Sequence, residues 1–264
     1  MAEWQTISLN DDLSEDHVYT LQLNRPAAMN SLNTLMGIEL IECLNFLQEQ
    51  TSVRVLVVTG SGEKSFCAGA DLKERKGMSN EQWKEQHIIF EEAFELLRKF
   101  PFPVIAAVNG FALGGGLEMA LSCDFRYAAD HAKMALPEVR LGIIPGVGGT
   151  QLLPRAIPLG LAKEMLFRGN QIDAQQALSF GIVNEVLSKE ELIPRTLEIA
   201  KEIGRNAPLS LKAIKKSIQS GLAKDLEAAV SIELDEYYKC ANSNDRQEGI
   251  RSFNEKRQPE WRGE

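Results

Sequence analysis

Two short, almost wholly apolar segments stand out in the first half of the chain. They read VRVLVV over Val53 to Val58 and VIAAV over Val104 to Val108. Each is followed by a turn-forming sequence, Gly60-Ser61-Gly62 in the first case and Asn109-Gly110 in the second. A strand that is apolar on both faces is typical of a parallel sheet, because helices cover both of its faces. These segments therefore predict buried parallel strands and an α/β fold.

Strand and helix patterns alternate around these two segments, and after about Pro158 the helical pattern dominates. Such an order favours an α/β core followed by a helical C-terminal part. Ala207-Pro208 marks the boundary, because proline suits the first turn of a helix. We predict an α/β core over residues 1–206 and a helical region over residues 207–264. The further predicted strands are His17 to Leu23, Phe125 to Ala129 and Ile182 to Val186; the predicted helices include Leu35 to Leu47, Glu81 to Phe100 and Leu117 to Leu121.

Composition narrows the class of protein. The 264 residues are 44% hydrophobic and 25% charged, as in a globular protein with one large domain. The longest unbroken apolar run, Val104 to Val108, is too short for a membrane span, and the N-terminal MAEWQTISLN does not resemble a signal peptide. Four cysteines without a C-x-x-C pair suit free thiols in a reducing cytosol. The net charge of −8 makes nucleic acid an unfavoured partner, and we expect a cytoplasmic protein.

Two glutamates lie in apolar, glycine-rich surroundings. Glu118 ends Gly114-Gly115-Gly116-Leu117-Glu118, and Glu138 follows Leu136-Pro137. An ionised acid is costly in such surroundings unless it has a partner or a task, and two close carboxylates can divide acid and base roles. The structural alternatives are that Glu118 is a first-turn partner of a helix dipole and that Glu138 is a surface residue in a loop.

Small residues mark two segments where a ligand can approach backbone N–H groups. These are Phe66 to Lys73 (FCAGADLK), in which Asp71 can cap a following helix, and the three glycines before Glu118. Unpaired N–H groups at a helix start can stabilise an oxyanion that forms during a reaction. A tight turn and close helix packing are the structural alternatives for these segments.

The sequence motifs of other enzyme classes are not found. The run Gly146-Val147-Gly148-Gly149-Thr150 is not followed by Gly-Lys-Ser/Thr, and neither G-x-G-x-x-G nor G-x-S-x-G occurs. The histidines, His17, His87 and His131, lack metal-ligand spacing, so we expect no metal site. Each histidine is interpreted as a surface or structural residue.

Taken together, the motifs resemble the crotonase (enoyl-CoA hydratase/isomerase) superfamily. The matching stretches are LNRPAAMNSL, FCAGADLKE, AAVNGFALGGGLEMALSCD, LPEVRLGIIPGVGGTQLLPR and EGIRSFNEKR, in the order of the family and over almost the whole chain. The resemblance implies a crotonase (ClpP-like) fold of repeated ββα units, with a helical C-terminal region that trimerises. It also implies a homotrimer or a homohexamer of two stacked trimers. The implied ligand is an acyl-CoA thioester, whose coenzyme A belongs to the substrate, so no separate cofactor is expected.

The resemblance assigns roles to four residues of the core motifs. The N–H groups of Ala70 and Gly115 would form the oxyanion hole for the thioester oxygen. Glu118 would position and activate a water molecule, and Glu138 would exchange a proton at C2. Many isomerases of the superfamily keep a glutamate only at the second position, so the pair favours a hydratase, with a double-bond isomerase as the alternative.

Substrate-binding roles also follow from the resemblance. Arg25 would lie near the CoA phosphates, and Ala68, Asp71, Leu72 and Lys73 would line the pantetheine arm. Phe253 and Lys256 would reach the ligand of a neighbouring subunit. For the basic residues among these, the alternative is a solvated surface charge.

Two questions of specificity stay open at this point. ADLKER with IIPGVGGTQLLPRAIPLGLAKEM resembles the methylglutaconyl-CoA hydratases of leucine breakdown, whereas a short-chain hydratase of fatty-acid oxidation fits the same motifs. One relative binds AU-rich RNA through a lysine-rich helix. Here the matching helix, Leu35 to Gln50, has no Lys or Arg and carries Glu39, Glu42 and Glu49, which repel phosphate. We therefore do not expect RNA binding.

Overall fold

The computed structural model describes residues 4–11, 13 and 16–264. The signal-peptide prediction rests partly on residues 1–3, which lie outside the described residues. The strands are β1 Ile7–Asn10, β2 Val18–Leu23, β3 Val55–Gly60, β4 Ser65–Cys67, β5 Val104–Val108, β6 Phe111–Leu113, β7 Phe125–Ala129, β8 Lys133–Ala135, β9 Ile172–Asp173 and β10 Glu185–Leu187. The α-helices are α1 Thr34–Glu49, α2 Leu72–Arg75, α3 Asn80–Arg98, α4 Gly115–Ser122, α5 Gly149–Ala156, α6 Leu159–Arg168, α7 Ala174–Phe180, α8 Lys189–Gly204, α9 Pro208–Gly221, α10 Leu226–Ala241 and α11 Asn244–Glu255.

The strands form two sheets. The larger has the order β1-β2-β3-β5-β7-β10 and is parallel except for β1, which pairs antiparallel with β2. The smaller has the order β4-β6-β8-β9, in which β9 is antiparallel to β8. The α/β class predicted from the sequence is confirmed.

The two apolar segments form the middle of the larger sheet, as predicted. Leu56 of β3 pairs with Val104 of β5, and both strands are buried throughout. Their side chains alternate between two hydrophobic clusters on opposite faces of the sheet: Leu56 and Val58 face the larger one, and Val55 and Val57 pack with α8. Burial on both faces explains why these strands lack the usual alternation of polar and apolar residues.

Several observed elements differ from the predicted ones. The last strand is β10, not residues 182–186, because the N–H groups of Ile182 and Val183 bond back to the Ala177 carbonyl and leave the sheet. The sequence did not reveal β9, whose two residues are too few for a periodic pattern. Helix α4 begins at Gly115, so two of the three glycines lie inside its first turn.

The structure of helix α1 corrects one part of the argument that the acidic side chains of this helix repel RNA. Glu39 is buried, and its carboxylate accepts hydrogen bonds from the N–H groups of Gln5 and Thr6 at 2.8 Å each. It therefore fastens the N-terminal strand and does not contribute to an acidic surface. Glu42 and Glu49 remain exposed on this helix.

The C-terminal helices α9, α10 and α11 follow Ala207, the N-cap of α9. Lys215 of α9 ties them to the core, since its Nζ donates to the Phe102 carbonyl at 2.9 Å and to Asp124 at 2.7 Å. The assignment of residues 207–264 to a trimerisation region stays a prediction. No helix in the described part of the chain is long and apolar enough to cross a membrane.

Candidate active site

A cavity of about 550 Å³ lies between α3, the start of α4 and the segments that precede α2 and α5. Six of the residues predicted for the site line it: Ala68, Ala70, Leu72, Gly115, Glu118 and Glu138. The structure thus brings together three segments that are far apart in the sequence.

Glu118 lies on the first turn of α4 and is 2% exposed. Its Oε1 accepts hydrogen bonds from the N–H groups of Val147 at 2.9 Å and Gly149 at 2.7 Å. Gly149 is the first residue of α5, so the carboxylate lies at the positive end of that helix. Burial raises the pKa of Glu118, while the N–H donors of Gly149 and Val147 and the nearby His87 oppose that rise. Oε1 of the carboxylate is thus fixed by two hydrogen bonds, and the backbone of Gly146 also lowers the pKa of this group.

Glu138 has a different environment. It begins a 3₁₀ turn, Glu138–Leu141, and is 8% exposed, not the surface loop residue of the structural alternative. Its Oε2 is buried, and no described residue forms a hydrogen bond to it. Burial, helped by the charge of Glu118, raises the pKa of Glu138 to about 7. Near neutral pH this carboxyl group can therefore give or take a proton.

Gly114 allows Glu138 its position. A Cβ at Gly114 would lie 2.8 Å from Oε1 of Glu138, and the residue has a φ of 53°, which disfavours side chains. The glycine run before Glu118 therefore serves both carboxylates, because it starts α4 and leaves room for Glu138.

The N–H groups of Ala70 and Gly115 lie side by side at the cavity wall. A Cβ built on Gly115 would lie 4.0 Å from the Ala70 nitrogen and 3.8 Å from the Gly69 Cα. Among the described residues, neither N–H has a hydrogen-bond acceptor. Two adjacent free donors can hold an oxygen on which negative charge develops.

The Ala70 segment is held from both sides. The Leu32 N–H donates to the Gly69 carbonyl and the Asp71 N–H donates to the Leu32 carbonyl, each at 2.8 Å. Asp71 caps α2 through the N–H groups of Lys73 and Glu74, as predicted, and also pairs with Arg25 at 2.9 Å. Arg25 further donates to the Ser31 carbonyl at 2.6 Å. The structure therefore gives Arg25 and Asp71 a local task, which is to fix the backbone that presents the Ala70 N–H.

The remaining predicted binding residues lie outside this cavity within one chain. Lys73 is exposed on α2. Phe253, on α11, is 83% exposed and borders a different cavity, between α9, α10 and α11, while Lys256 follows that helix and is exposed. Their contact with a neighbouring subunit's ligand stays a prediction.

Helix α3 supplies cavity residues that the sequence analysis did not identify. Trp83, His87, Phe90 and Phe94 line the cavity, and Arg75 of α2 lies against Trp83 with its guanidinium carbon 4.1 Å from the ring centroid. His87, which we interpreted as a surface or structural histidine, pairs with Glu91 at 3.4 Å and also borders the cavity. The 4, 3, 4 spacing of the α3 residues is helical and was a usable signal. Arg75 carried no such signal.

Chemically, the cavity combines one fixed carboxylate, one carboxyl group that titrates near neutrality and two unpaired N–H donors. Such a set can activate a water molecule, exchange a proton and stabilise an enolate oxygen without a covalent intermediate.

Comparison with known proteins gives a consistent picture. The family profile described as Enoyl-CoA hydratase/isomerase matches residues 14–264. The crotonyl-CoA hydratase of Syntrophomonas wolfei is 42% identical over 243 residues, which cover 92% of this chain and 94% of the relative. The mitochondrial methylglutaconyl-CoA hydratase of Rattus norvegicus is 38% identical over 251 residues, covering 94% of this chain and 80% of the relative.

A solved structure supports the same relationship. The crystal structure of an enoyl-CoA hydratase from Bacillus anthracis superposes with a TM-score of 0.95 at 42% identity and covers 98% of this chain and 100% of its own. Its likeness extends over both sheets and the C-terminal helices.

Proposed function

Because the chain belongs to the enoyl-CoA hydratase/isomerase family and has the crotonase fold, we propose that it adds water reversibly across the 2,3 double bond of a 2-enoyl-CoA. The product is a 3-hydroxyacyl-CoA. The observation that carries this proposal is the pair of buried glutamates on the cavity that also holds the free N–H groups of Ala70 and Gly115.

The two glutamates have the environments that the two proton transfers need. Glu118, with Oε1 fixed by two N–H donors, orients a water molecule on Oε2 and takes its proton as the oxygen attacks C3. Glu138, whose pKa is about 7, gives a proton to C2. Meanwhile the N–H groups of Ala70 and Gly115 hold the thioester oxygen as it becomes an enolate. In the reverse direction each group performs the opposite transfer.

A double-bond isomerase of the same fold is the alternative. Moving a double bond requires proton removal and return, but no activated water. The N–H donors that converge on Glu118 favour the hydratase, because they stabilise an ionised carboxylate at the position where a water molecule would be activated.

Glu118→Gln and Glu138→Gln test this function separately. With crotonyl-CoA as substrate, each variant should lose hydration by a factor of about a hundred or more, since each removes one proton transfer. The loss of absorbance of the conjugated thioester measures the rate. Near-normal turnover by either variant contradicts the proposed function.

A specific observation favours a second, narrower candidate, in which the acyl chain carries a carboxylate. Arg75 borders the cavity and donates Nε to Gln86 at 2.7 Å, while its two Nη groups make no hydrogen bond to a described residue. A guanidinium held by Trp83 and Gln86 presents a fork of donors that matches a carboxylate. A branched substrate such as 3-methylglutaconyl-CoA would bring a second carboxylate to this group, beside the nearby Glu74, and crotonyl-CoA would not.

Kinetics with both thioesters, for the wild type and for Arg75→Met, decide between the candidates. If the chain prefers the carboxylated substrate, Arg75→Met should lower kcat/KM for 3-methylglutaconyl-CoA by about tenfold or more and leave crotonyl-CoA nearly unchanged. An equal effect on both substrates rules out a carboxylate-binding role for Arg75.

Assembly and cellular place belong to the same proposal. We propose a homotrimer or a homohexamer in the cytoplasm, supported by the apolar side chains exposed on the C-terminal helices, namely Ile214, Ile218, Leu222, Leu226, Val230, Leu234 and Phe253. Sedimentation of a monomer at micromolar concentration contradicts this assembly.

A further inference from the structure

The segment between Pro145 and Gly149, here called the 145–149 loop, has two functional sides. On one side the N–H groups of Val147 and Gly149 point at Oε1 of Glu118. On the other side the Val147 carbonyl, which lies between these two N–H groups in the chain, accepts a hydrogen bond from Nη1 of Arg98 at 3.0 Å. The loop therefore connects Arg98 to Glu118.

The loop needs an external anchor to keep this arrangement. Three of its five residues are glycines, and Gly148 has a φ of 126°. Glycine loses more conformational freedom on ordering than other residues, so a glycine-rich segment does not hold two N–H groups in convergence by itself. Fixing the carbonyl of Val147 fixes the peptide plane that lies between the two donors.

Helix α3 is itself well placed to be that anchor. His87, three turns before Arg98, packs against Gly146, where a Cβ would lie 2.5 Å from the ring Cε1. At the other end of the helix, the backbone carbonyl of Arg98 accepts a hydrogen bond from Nε2 of Gln219 in α9 at 2.9 Å. The helix thus contacts the loop at two points, and its last turn is fixed from outside.

We infer that Arg98 is a positioning residue for the proposed reaction: by holding the Val147 carbonyl, it keeps the N–H groups of Val147 and Gly149 on the carboxylate of Glu118. Arg98 does not line the cavity, so it acts on the reaction through the loop and not on the substrate. The inference rests on the proposed role of Glu118 in activating water.

This role has a consequence for the pH dependence of the rate. Apart from the loop, the titratable groups that act on Glu118 are His87 from α3 and Glu138 from the 3₁₀ turn. The N–H donors of the loop lower the pKa of Glu118 against the effect of burial. If they move away, Glu118 takes up its proton at higher pH, and the acidic limb of the rate profile moves to higher pH with it.

Arg98→Met removes the hydrogen bond and keeps an apolar stem of similar length. We expect kcat with crotonyl-CoA to fall by about tenfold to a hundredfold, because a displaced catalytic group costs that much. KM should change little, since the substrate does not touch Arg98, and the acidic limb should shift to higher pH. The control is Lys99→Met, which removes the neighbouring exposed charge, paired only with Glu95 among the described residues, and should behave as wild type.

An Arg98→Met variant whose kcat and acidic limb match those of Lys99→Met overturns the inference. Should Arg98→Met not fold, Arg98→Gln, which has a shorter stem, is measured by the same two readouts and judged by the same criterion. Glu118→Gln separates the two levels of the proposal: if it retains turnover, the role of Glu118 fails, whereas an inactive Glu118→Gln beside a normal Arg98→Met overturns the role of Arg98 alone.

Discussion

At the scale of single residues, two side chains of the same type acquire different properties from their surroundings. Glu118 receives two N–H donors at the start of α5, and Glu138 has a buried oxygen without a hydrogen bond from the described residues. Both are buried, so burial alone does not distinguish them. The hydrogen bonds do, because they stabilise only the ionised form of Glu118. In the proposed reaction, this difference allows one carboxylate to act on water while the other carries a proton.

The raised pKa of Glu138 predicts how stability depends on pH. The ordinary pKa of 4.5 applies to the unfolded chain and about 7 to the folded one. The folded state therefore binds this proton more tightly, and its contribution to stability is present below pH 4.5 and is lost as pH rises through 7. The unfolding free energy of Glu138→Gln minus that of wild type should therefore rise by about 2 to 3 kcal/mol from pH 5 to pH 8.

Denaturant unfolding of wild type and Glu138→Gln at pH 5 and at pH 8 gives the unfolding free energy of each protein at each pH. The prediction concerns how much the gap between the two proteins changes with pH. Because the comparison is made within each protein, a constant cost of burying the amide cancels. A gap between the two proteins that is the same at pH 5 and pH 8 contradicts the raised pKa.

The sequence identified the residues of the site where they stand in compact motifs. Glu118 and Glu138 stood out because each lies in a short glycine- or proline-containing stretch, whereas the N–H groups of Ala70 and Gly115 were singled out by the resemblance to a family. Arg98 could not be predicted, since its partner Val147 is 49 residues away and only the fold brings them together. The ion pair of Arg25 with Asp71 could not be predicted for the same reason, because the two residues are 46 positions apart.

At the scale of elements, the start of α4 decides whether the site can form. Gly116 packs against β4 so closely that a Cβ would lie 2.0 Å from the Cys67 carbonyl oxygen. This close approach places Gly115 beside Ala70 at the cavity wall. Helix-to-strand packing thus requires the glycine run, as the structural alternative for this segment predicted, and the proposed chemistry would use the same residues.

Gly116→Ala should destabilise the protein by about 3 kcal/mol or more, because a backbone atom cannot move away as a flexible side chain could. Gly160→Ala is the matched control: Gly160 is also the second residue of a helix, α6, but a Cβ there meets nothing within 4 Å. That control should be neutral or gain up to about 1 kcal/mol from helix propensity. Thermal unfolding of the two variants measures the contrast, and equal midpoints contradict it.

Element boundaries were predictable where burial is complete. The sequence located β5 with its observed bounds and β3 within two residues, because their apolar runs end at turns. It also located β7 with its observed bounds, although the first two residues of that strand are only partly buried. The strand at 182–186 was misplaced because Ile182 and Val183 are buried without belonging to the sheet. Hydrophobicity reports burial, and in that segment burial and strand pairing do not coincide.

At the scale of the whole molecule, the division into two sheets was not visible in the sequence. The smaller sheet consists of strands of two or three residues, which are too short to show a period and pair with partners far along the chain. Yet this sheet positions the site, because β4 and β6 lead into the segments that carry Ala70 and Gly115. The resemblance to a family supplied the architecture that periodicity did not.

Lys215 is a buried contact between the C-terminal helices and the core. It is 7% exposed, and its Nζ bonds the Phe102 carbonyl and Asp124. Lys215→Met should cost about 2 to 4 kcal/mol, because it removes the cation paired with Asp124 and leaves that carboxylate only the Val104 N–H among the described residues. Lys216→Met removes an exposed lysine from Glu236, which keeps its ion pair with Lys239, and should cost less than about 1 kcal/mol. Chemical denaturation compares them, and equal losses contradict the anchoring role.

The central claim is that this cavity activates water for addition to an enoyl thioester, and isotope incorporation tests it most directly. Crotonyl-CoA and 3-methylglutaconyl-CoA are incubated with catalytic amounts of the protein in water enriched in heavy oxygen, and the products are analysed by mass spectrometry. We predict a 3-hydroxyacyl-CoA that carries one solvent oxygen at C3 and forms at a rate that Glu118→Gln abolishes. Recovery of both thioesters without solvent oxygen, or with only a displaced double bond, would contradict it.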